Sequence, residues 1–355
     1  MTTDHHHRAA QAAAGSAGVA TMKAIVQDAY GSAPEDVLRL AEAATPTVGD
    51  DEVLVRVRAA SVDRGTWHGM AGLPYAIRVA GFGLRRPKAP NPGRSVAGTV
   101  ESVGQDVTEF EPGDEVYGTC DGSFAEYARA RAGRSAGGLA AGAIALKPAN
   151  LSFEQAAAVP ESALTALQGV RDQAHVRAGQ KVLITGASGG VGTFAVQIAK
   201  AFGADVTGVC STTKVDMVRS IGADHVIDYT QAEIADRGQR YDVILDIAGN
   251  RSLSALRRAL TPRGTLVIAG GETDGRWLGG TDRQLRALML SPFVSQRLGT
   301  FIASENNGDL LALKELIESG QVTPAIDRTY PLSEVPGAIR YLQEGHARGK
   351  VVITV

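Results

Sequence analysis

Nine residues carry the clearest chemistry: Ile184-Thr185-Gly186-Ala187-Ser188-Gly189-Gly190-Val191-Gly192. An apolar run, Lys181-Val182-Leu183-Ile184, leads into them, and a helical pattern from Thr193 to Phe202 follows. That order is strand, glycine turn, helix start. Glycines let the chain turn sharply and let its backbone approach a pyrophosphate, while the helix start offers free N–H groups and a positive dipole end. Ala187, Ser188, Gly189, Gly190, Val191 and Gly192 are therefore the first candidate dinucleotide contacts. Such a match means little alone, but here the flanking strand and helix patterns complete it.

A nicotinamide cofactor comes in two forms, and the end of the next strand separates them. An acidic residue there, roughly twenty residues past the glycines, binds ribose hydroxyls. The strand Val206-Thr207-Gly208-Val209-Cys210 ends instead in Ser211-Thr212-Thr213-Lys214, with no carboxylate at its tip. Hydroxyls and a cation suit a 2′-phosphate, so Ser211, Thr212 and Lys214 point to NADPH. Helix capping by Ser211 or Thr212 and a solvated Lys214 are the plainer readings. Further contacts are expected where other strands end, at Ile247-Ala248-Gly249 and at Gly270.

These residues need a frame. With 355 residues the chain is long enough for about two domains. Residues 22–151 read as short strands broken by Gly and Pro; Val53 to Ala59 alternates apolar and polar as a half-buried strand does. From Ser152 strands and helices alternate, the pattern of a parallel, doubly wound α/β sheet, and residues 152–303 form that unit. The segment Phe293 to Ala303 reads as its last strand. Residues 304–355 return to the first unit through a closing strand from Lys350. Residues 1–21, rich in Ala, Gly and Thr and bearing His5-His6-His7, read as a disordered leader.

Composition removes several function classes. There are 36 basic and 38 acidic residues, a net charge of −2, which implies neither nucleic acid nor a membrane surface as partner. Two cysteines, Cys120 and Cys210, do not make a disulfide framework, and a cytoplasmic setting fits them.

Taken together the residues resemble the medium-chain dehydrogenase/reductase superfamily, most closely its zinc-independent quinone-oxidoreductase-like branch. The marks are Ala59-Ala60-Ser61-Val62, Pro92-Gly93, Gly113-Asp114-Glu115-Val116-Tyr117-Gly118, the glycine turn, Gly222-Ala223-Asp224 with Ile227-Asp228-Tyr229, and Gly349-Lys350-Val351-Val352. The resemblance implies a GroES-like β-rich catalytic domain beside a Rossmann domain, the cofactor in the cleft between them, and a homodimer. It also implies cofactor roles for Thr165, Tyr229, Asn306 and Lys350. For Thr165 a bond to its own helix backbone is the competing reading.

Zinc-dependent members place a cysteine near the turn after Ser61 and a histidine near Gly93. Here the stretches are Ser61-Val62-Asp63-Arg64 and Gly93-Arg94-Ser95, so no metal site is expected. Without a Lewis acid, hydride addition to an already electrophilic quinone or α,β-unsaturated carbonyl is favoured over alcohol oxidation. Such a reaction develops an oxyanion that needs a donor, and Asp63, Trp67 and His68 are the candidates near the turn. The family's Ser-Val-Asn-Pro-x-Asp and Gly-x-Asp patterns are altered here at Asp63, Thr66 and Ser95. Residues 71–92, with Arg85, Arg86 and Lys88, read as a substrate lid or as a solvated loop. A zinc-free NADP-dependent alcohol or carbonyl dehydrogenase stays open, as does a non-catalytic NADPH-binding sensor or partner protein.

Overall fold

The computed structural model describes residues 20–132, 142–234, 238–270, 277 and 279–355. Nearly all of the leader, and Gly271 after Gly270, lie outside these. Two sheets carry the fold. The first is mixed and seven-stranded, running Ile326–Pro331, Lys350–Thr354, Glu52–Val62, Ser95–Val103, Glu115–Thr119 and Ala143–Leu146, with Tyr127–Arg131 also paired to Glu52–Val62. A hairpin of Thr21–Gln27 and Leu38–Ala44 stands beside it.

The strand Glu52–Val62 shows why this sheet positions chemistry. Its expected alternation holds from Val55 to Arg58, with Val55 and Val57 buried and Arg56 and Arg58 exposed, but Leu54 is buried beside Val53. Its last four residues, Ala59 to Val62, are buried on both faces, and the strand runs three residues past its expected end. Small side chains permit this. Ala59 packs into the large core shared with the second unit, while Ala60 and Val62 pack under the C-terminal helix Val335–Gln343. The strand thus delivers Asp63 into the interior between the two units.

The second sheet is six-stranded and wholly parallel. Its order is His225–Asp228, Asp205–Cys210, Lys181–Thr185, Tyr241–Asp246, Leu260–Ile268 and Arg297–Thr300. The order in which successive strands are added reverses between Lys181–Thr185 and Tyr241–Asp246. In such sheets the ligand crevice opens at that reversal, beyond the strand C-termini. The edge strand is shorter than the Phe293 to Ala303 segment expected, because Ser291–Phe293 forms a helical turn and pairing stops at Thr300.

The closing strand Lys350–Thr354 runs antiparallel to Glu52–Val62, with Val351 opposite Val62. That register places Lys350 against Asp63, two residues separated by most of the chain.

Candidate active site

The glycine turn has the tight geometry that the residue types suggest. Gly186 sits at φ 68°, and a Cβ on Gly192 would lie 2.0 Å from the Gly186 carbonyl oxygen, so only glycine closes the turn onto its helix. The helix Gly190–Ala201 starts from Gly189 with no side-chain cap, which leaves its first N–H groups for an anion. Ala187 and Ser188 are buried beneath it, and the Ala187 N–H donates to the Val209 carbonyl. Val191 stands partly exposed in the first turn.

Beside the turn, Thr185 organises the ends of two strands. Its Oγ1 donates to the buried Asp246 carboxylate at 2.6 Å and accepts from the N–H groups of Ile247 and Ala248 at 3.1 and 3.2 Å. The other Asp246 oxygen pairs with Arg283, whose guanidinium also donates to the carbonyls of Arg251 and Gly270. Gly249 at φ 69° completes the bend, and Gly270 packs so closely on Ile247 that a Cβ would lie 1.9 Å from its oxygen. This array fits a dinucleotide: glycine-lined, uncapped, and braced from below by an ion pair.

The tip of strand Asp205–Cys210 corrects one expectation. A carboxylate does stand there, supplied by the neighbouring strand. Asp228 aligns with Cys210 and accepts from Thr212 Oγ1 at 2.6 Å, while Thr230 Oγ1 lies 3.0 Å from the same hydroxyl. Reading along one strand could not show a group placed by sheet pairing. Ser211 precedes the helical turn Thr212–Lys214 but caps nothing with its side chain. Lys214 reaches the carbonyls of Ala347 and Gly345, beside Arg348, and burial lowers its pKa. Tyr229 is about half exposed at the same edge.

Two carried-over residues are turned to structural work, and the expected lid is tied down. Thr165 Oγ1 donates to the Glu161 carbonyl of its own helix, Pro160–Gln168. Asn306 caps helix Asn307–Glu318, accepting from the Asp309 N–H at 2.8 Å and donating to the Asp309 carboxylate. The segment 71–92 is held down, with Arg78 stacked over Tyr30 at 4.4 Å and the Tyr30 hydroxyl bonded to the carbonyls of Phe82 and Gly83.

Asp63, Trp67 and His68 occupy one helix start but differ in setting. Asp63 caps helix Arg64–Ala71, accepting from the Thr66 N–H at 3.3 Å, and its other oxygen lies 3.8 Å from Lys350 Nζ. Lys350 is 1% exposed and donates to Ser162 Oγ at 3.0 Å. Trp67 packs into the core under the C-terminal helix, with its Nε1 buried and unbonded. His68 Nδ1 lies 2.7 Å from the Leu73 carbonyl, so that nitrogen donates; burial lowers its pKa and keeps the ring neutral.

Two charged residues were missed by sequence reasoning. Glu161, at the start of its helix, lies with Asp63 around Gly65: a Cβ there would meet Glu161 Oε1 at 3.1 Å and Asp63 Oδ1 at 3.3 Å. Ser95 Oγ approaches Glu161 Oε2 at 3.5 Å. Arg94 forks onto Glu305 and also reaches Asp121. No spacing rule links positions 63, 94, 161 and 350; the departure at Ser95 was the available signal. The cluster abuts the glycine turn, since a Cβ on Gly190 would lie 3.1 Å from both Lys350 Cδ and Ser162 Oγ.

Comparison with known proteins agrees with this architecture. Residues 49–169 match the family model described as alcohol dehydrogenase GroES-like domain, and residues 221–353 match that described as zinc-binding dehydrogenase. Mouse NAD(P)H oxidoreductase RTN4IP1, mitochondrial, is 34% identical over 96% of this chain and 91% of its own. The chain belongs to the medium-chain dehydrogenase/reductase superfamily, in its quinone-oxidoreductase-like branch. This oxidoreductase is also 32% identical, over 94% of its length and 79% of the relative's, to the Arabidopsis thaliana NADPH-dependent alkenal/one oxidoreductase, chloroplastic. A quinone oxidoreductase from Coxiella burnetii superposes with a TM-score of 0.78 at 28% identity, covering 95% of this chain and all of that one. Among the described residues no helix is long and apolar enough to cross a membrane, and no three His, Cys, Asp or Glu side chains are grouped to hold a metal ion.

Proposed function

We propose that this protein is an NADPH-dependent reductase that adds hydride to a quinone or α,β-unsaturated carbonyl without zinc. The observation that carries the reading is the juxtaposition of an uncapped glycine turn with the Asp63–Lys350–Glu161 cluster. The turn, Thr185 and Asp246 would hold and orient the dinucleotide, which supplies the hydride when bound. The charged cluster would manage the charge that develops on the substrate oxygen. The relatives' quinone and alkenal chemistry supports that substrate class.

For NADPH over NADH the support is Lys214 beside Arg348 at the tip of strand Asp205–Cys210, two cations suited to a 2′-phosphate. Asp228 opposes them in part, since it engages the Thr212 hydroxyl. Zinc independence rests on the donor set: the positions where zinc-dependent members carry cysteine and histidine hold Asp63 and Arg94. Division of the chain at 151/152 and 303/304 belongs to the same reading, as does a homodimer. Leu285, Leu288, Met289 and Phe293 are exposed next to the unpaired edge strand Arg297–Thr300, where a second sheet would join. Two buried cysteines in the thiol form suit a cytoplasmic, reducing setting.

The test is turnover of a panel of quinones, enones, ketones and alcohols with each cofactor, with and without a chelator. Turnover restricted to simple ketones or alcohols would favour a carbonyl dehydrogenase instead. Tight NADPH binding with no turnover across the panel would favour a sensor.

A further inference from the structure

Three charged residues beside the glycine turn come from separate segments that face one another. Asp63 ends strand Glu52–Val62, Glu161 opens helix Pro160–Gln168, and Lys350 begins the closing strand. Glu161 and Asp63 oxygens converge around Gly65, whose lack of a side chain makes the room. Two carboxylates this close cannot both ionise cheaply in a desolvated site, and a single shared proton relieves the repulsion. The groups facing Glu161 set the balance. Asp63 repels its charge, Glu305 adds to that repulsion, and Arg94, just before strand Ser95–Val103, opposes it. Lys350 stands on the far side of Asp63, 3.8 Å from Oδ2. The cation is therefore against Asp63, while Glu161 meets Asp63 itself, the Ser95 hydroxyl at 3.5 Å and the opposing charge of Arg94. The proton belongs on Glu161.

A second observation marks the surroundings of the pair as polar beyond its own bonds. Ser61 is fully buried, its hydroxyl has no protein partner, and its register neighbour on the next strand is Ser95. Asp63 Oδ2, two residues further on, is likewise buried without a hydrogen-bond partner. Buried polar atoms are normally satisfied, so these two orphans beside the acid pair mark where a polar molecule is received.

We propose that Glu161 is the positioning residue that stores the proton for the reductase reaction, passing it through Asp63 to the oxyanion formed on the substrate. The step rests on the reductase reading above, with the reduced nicotinamide as its hydride donor. Hydride bonds to the electrophilic carbon and the π electrons move to the carbonyl oxygen. The O–H bond on the acid pair breaks toward that oxygen, and its electrons stay on the pair. The pair becomes a dianion held by Lys350 and Arg94, and water restores the proton between turnovers.

The sign of the pH dependence follows. Burial, then the Asp63 charge, raises the Glu161 pKa well above the usual carboxylate range. The pair is loaded below that raised value, so kcat is retained there and lost as pH rises through it. The experiment is kcat against pH with NADPH and 2-cyclohexen-1-one, for the wild type, Glu161→Gln and Glu161→Asp, with infrared spectra of each for the protonated-carboxyl band. The wild type should show an alkaline limb and a band at neutral pH. Glu161→Gln should lose both, with kcat lower by about tenfold at neutral pH, and Glu161→Asp should restore part of each. A Glu161→Gln enzyme with unchanged rate and limb, or a wild type without the band, would overturn the proposal. A band in the wild type without enone turnover would leave the shared proton standing. It would contradict the reductase reading, and the delivery step with it.

Discussion

The glycine turn and the acid–lysine cluster touch, yet they are built in opposite ways. The turn is one continuous segment, residues 184–192, whose geometry is set by local backbone sterics. The cluster is assembled from positions 63, 94, 161 and 350, which meet only because the closing strand pairs with Glu52–Val62 and because Ser162, at the start of helix Pro160–Gln168, accepts from Lys350. The first is robust in sequence and fragile to added volume. The second is invisible in sequence and fragile to changed charge.

Breaking the turn should have the largest effect. Gly192→Val drives a branched side chain into the Gly186 carbonyl and should weaken NADPH binding by about 100-fold, roughly 2.7 kcal/mol. Fluorescence titration checks this, with circular dichroism showing the fold retained. Breaking the cluster comes next. Lys350→Met removes a buried cation from Asp63 and Ser162 and should cost about 2 kcal/mol of stability, read from denaturant midpoints. Equal binding loss in both variants would erase the distinction between the two regions.

A smaller effect sharpens the cofactor side. Arg348→Ala should raise KM for NADPH by about tenfold, some 1.4 kcal/mol, and leave KM for NADH unchanged. Equal shifts for both would remove the 2′-phosphate argument.

Charge also brackets the outer wall of the site. Burial works to raise the Asp309 pKa, but hydrogen bonds from Asn306, Arg171 and Gln168 outweigh it and hold the carboxyl below its usual value. Its contribution is then present above the unfolded pKa, about 3.9, and is lost as pH falls through the lower folded value. Asp309→Asn should cost about 1 kcal/mol at neutral pH, and the gap to wild type should close in acid; thermal unfolding across pH measures both. The smallest change is Thr165→Ala, expected within about 0.5 kcal/mol of wild type with KM unaltered, because that hydroxyl only bonds its own helix.

The same contrast explains what could be read in advance. Strand–turn–helix order is local, so the Rossmann sheet, the glycine turn and the alternation of Val55 to Arg58 were legible from the chain. The double burial of Ala59 to Val62 was not, since small residues in a strand do not say what covers them. Asp228 at the strand tip came from sheet pairing, and Glu161 from helix packing across a strand end. His68 and Trp67 sit beside Asp63 in sequence, but one is bonded to the Leu73 carbonyl and the other packs into the core, so proximity along a helix overstated their common purpose. Asn306 and Lys350 were singled out by the same resemblance, yet one proves a helix cap and the other a buried cation at the cleft.

The central claim is a zinc-free, NADPH-dependent reductase of electrophilic C=C or quinone acceptors. Its most direct test is the rate of cofactor oxidation with NADPH and with NADH, using a quinone and an enone, before and after chelation. The account predicts NADPH oxidation that requires the acceptor and survives the chelator. Oxidation confined to NADH, or abolished by chelation, would contradict it.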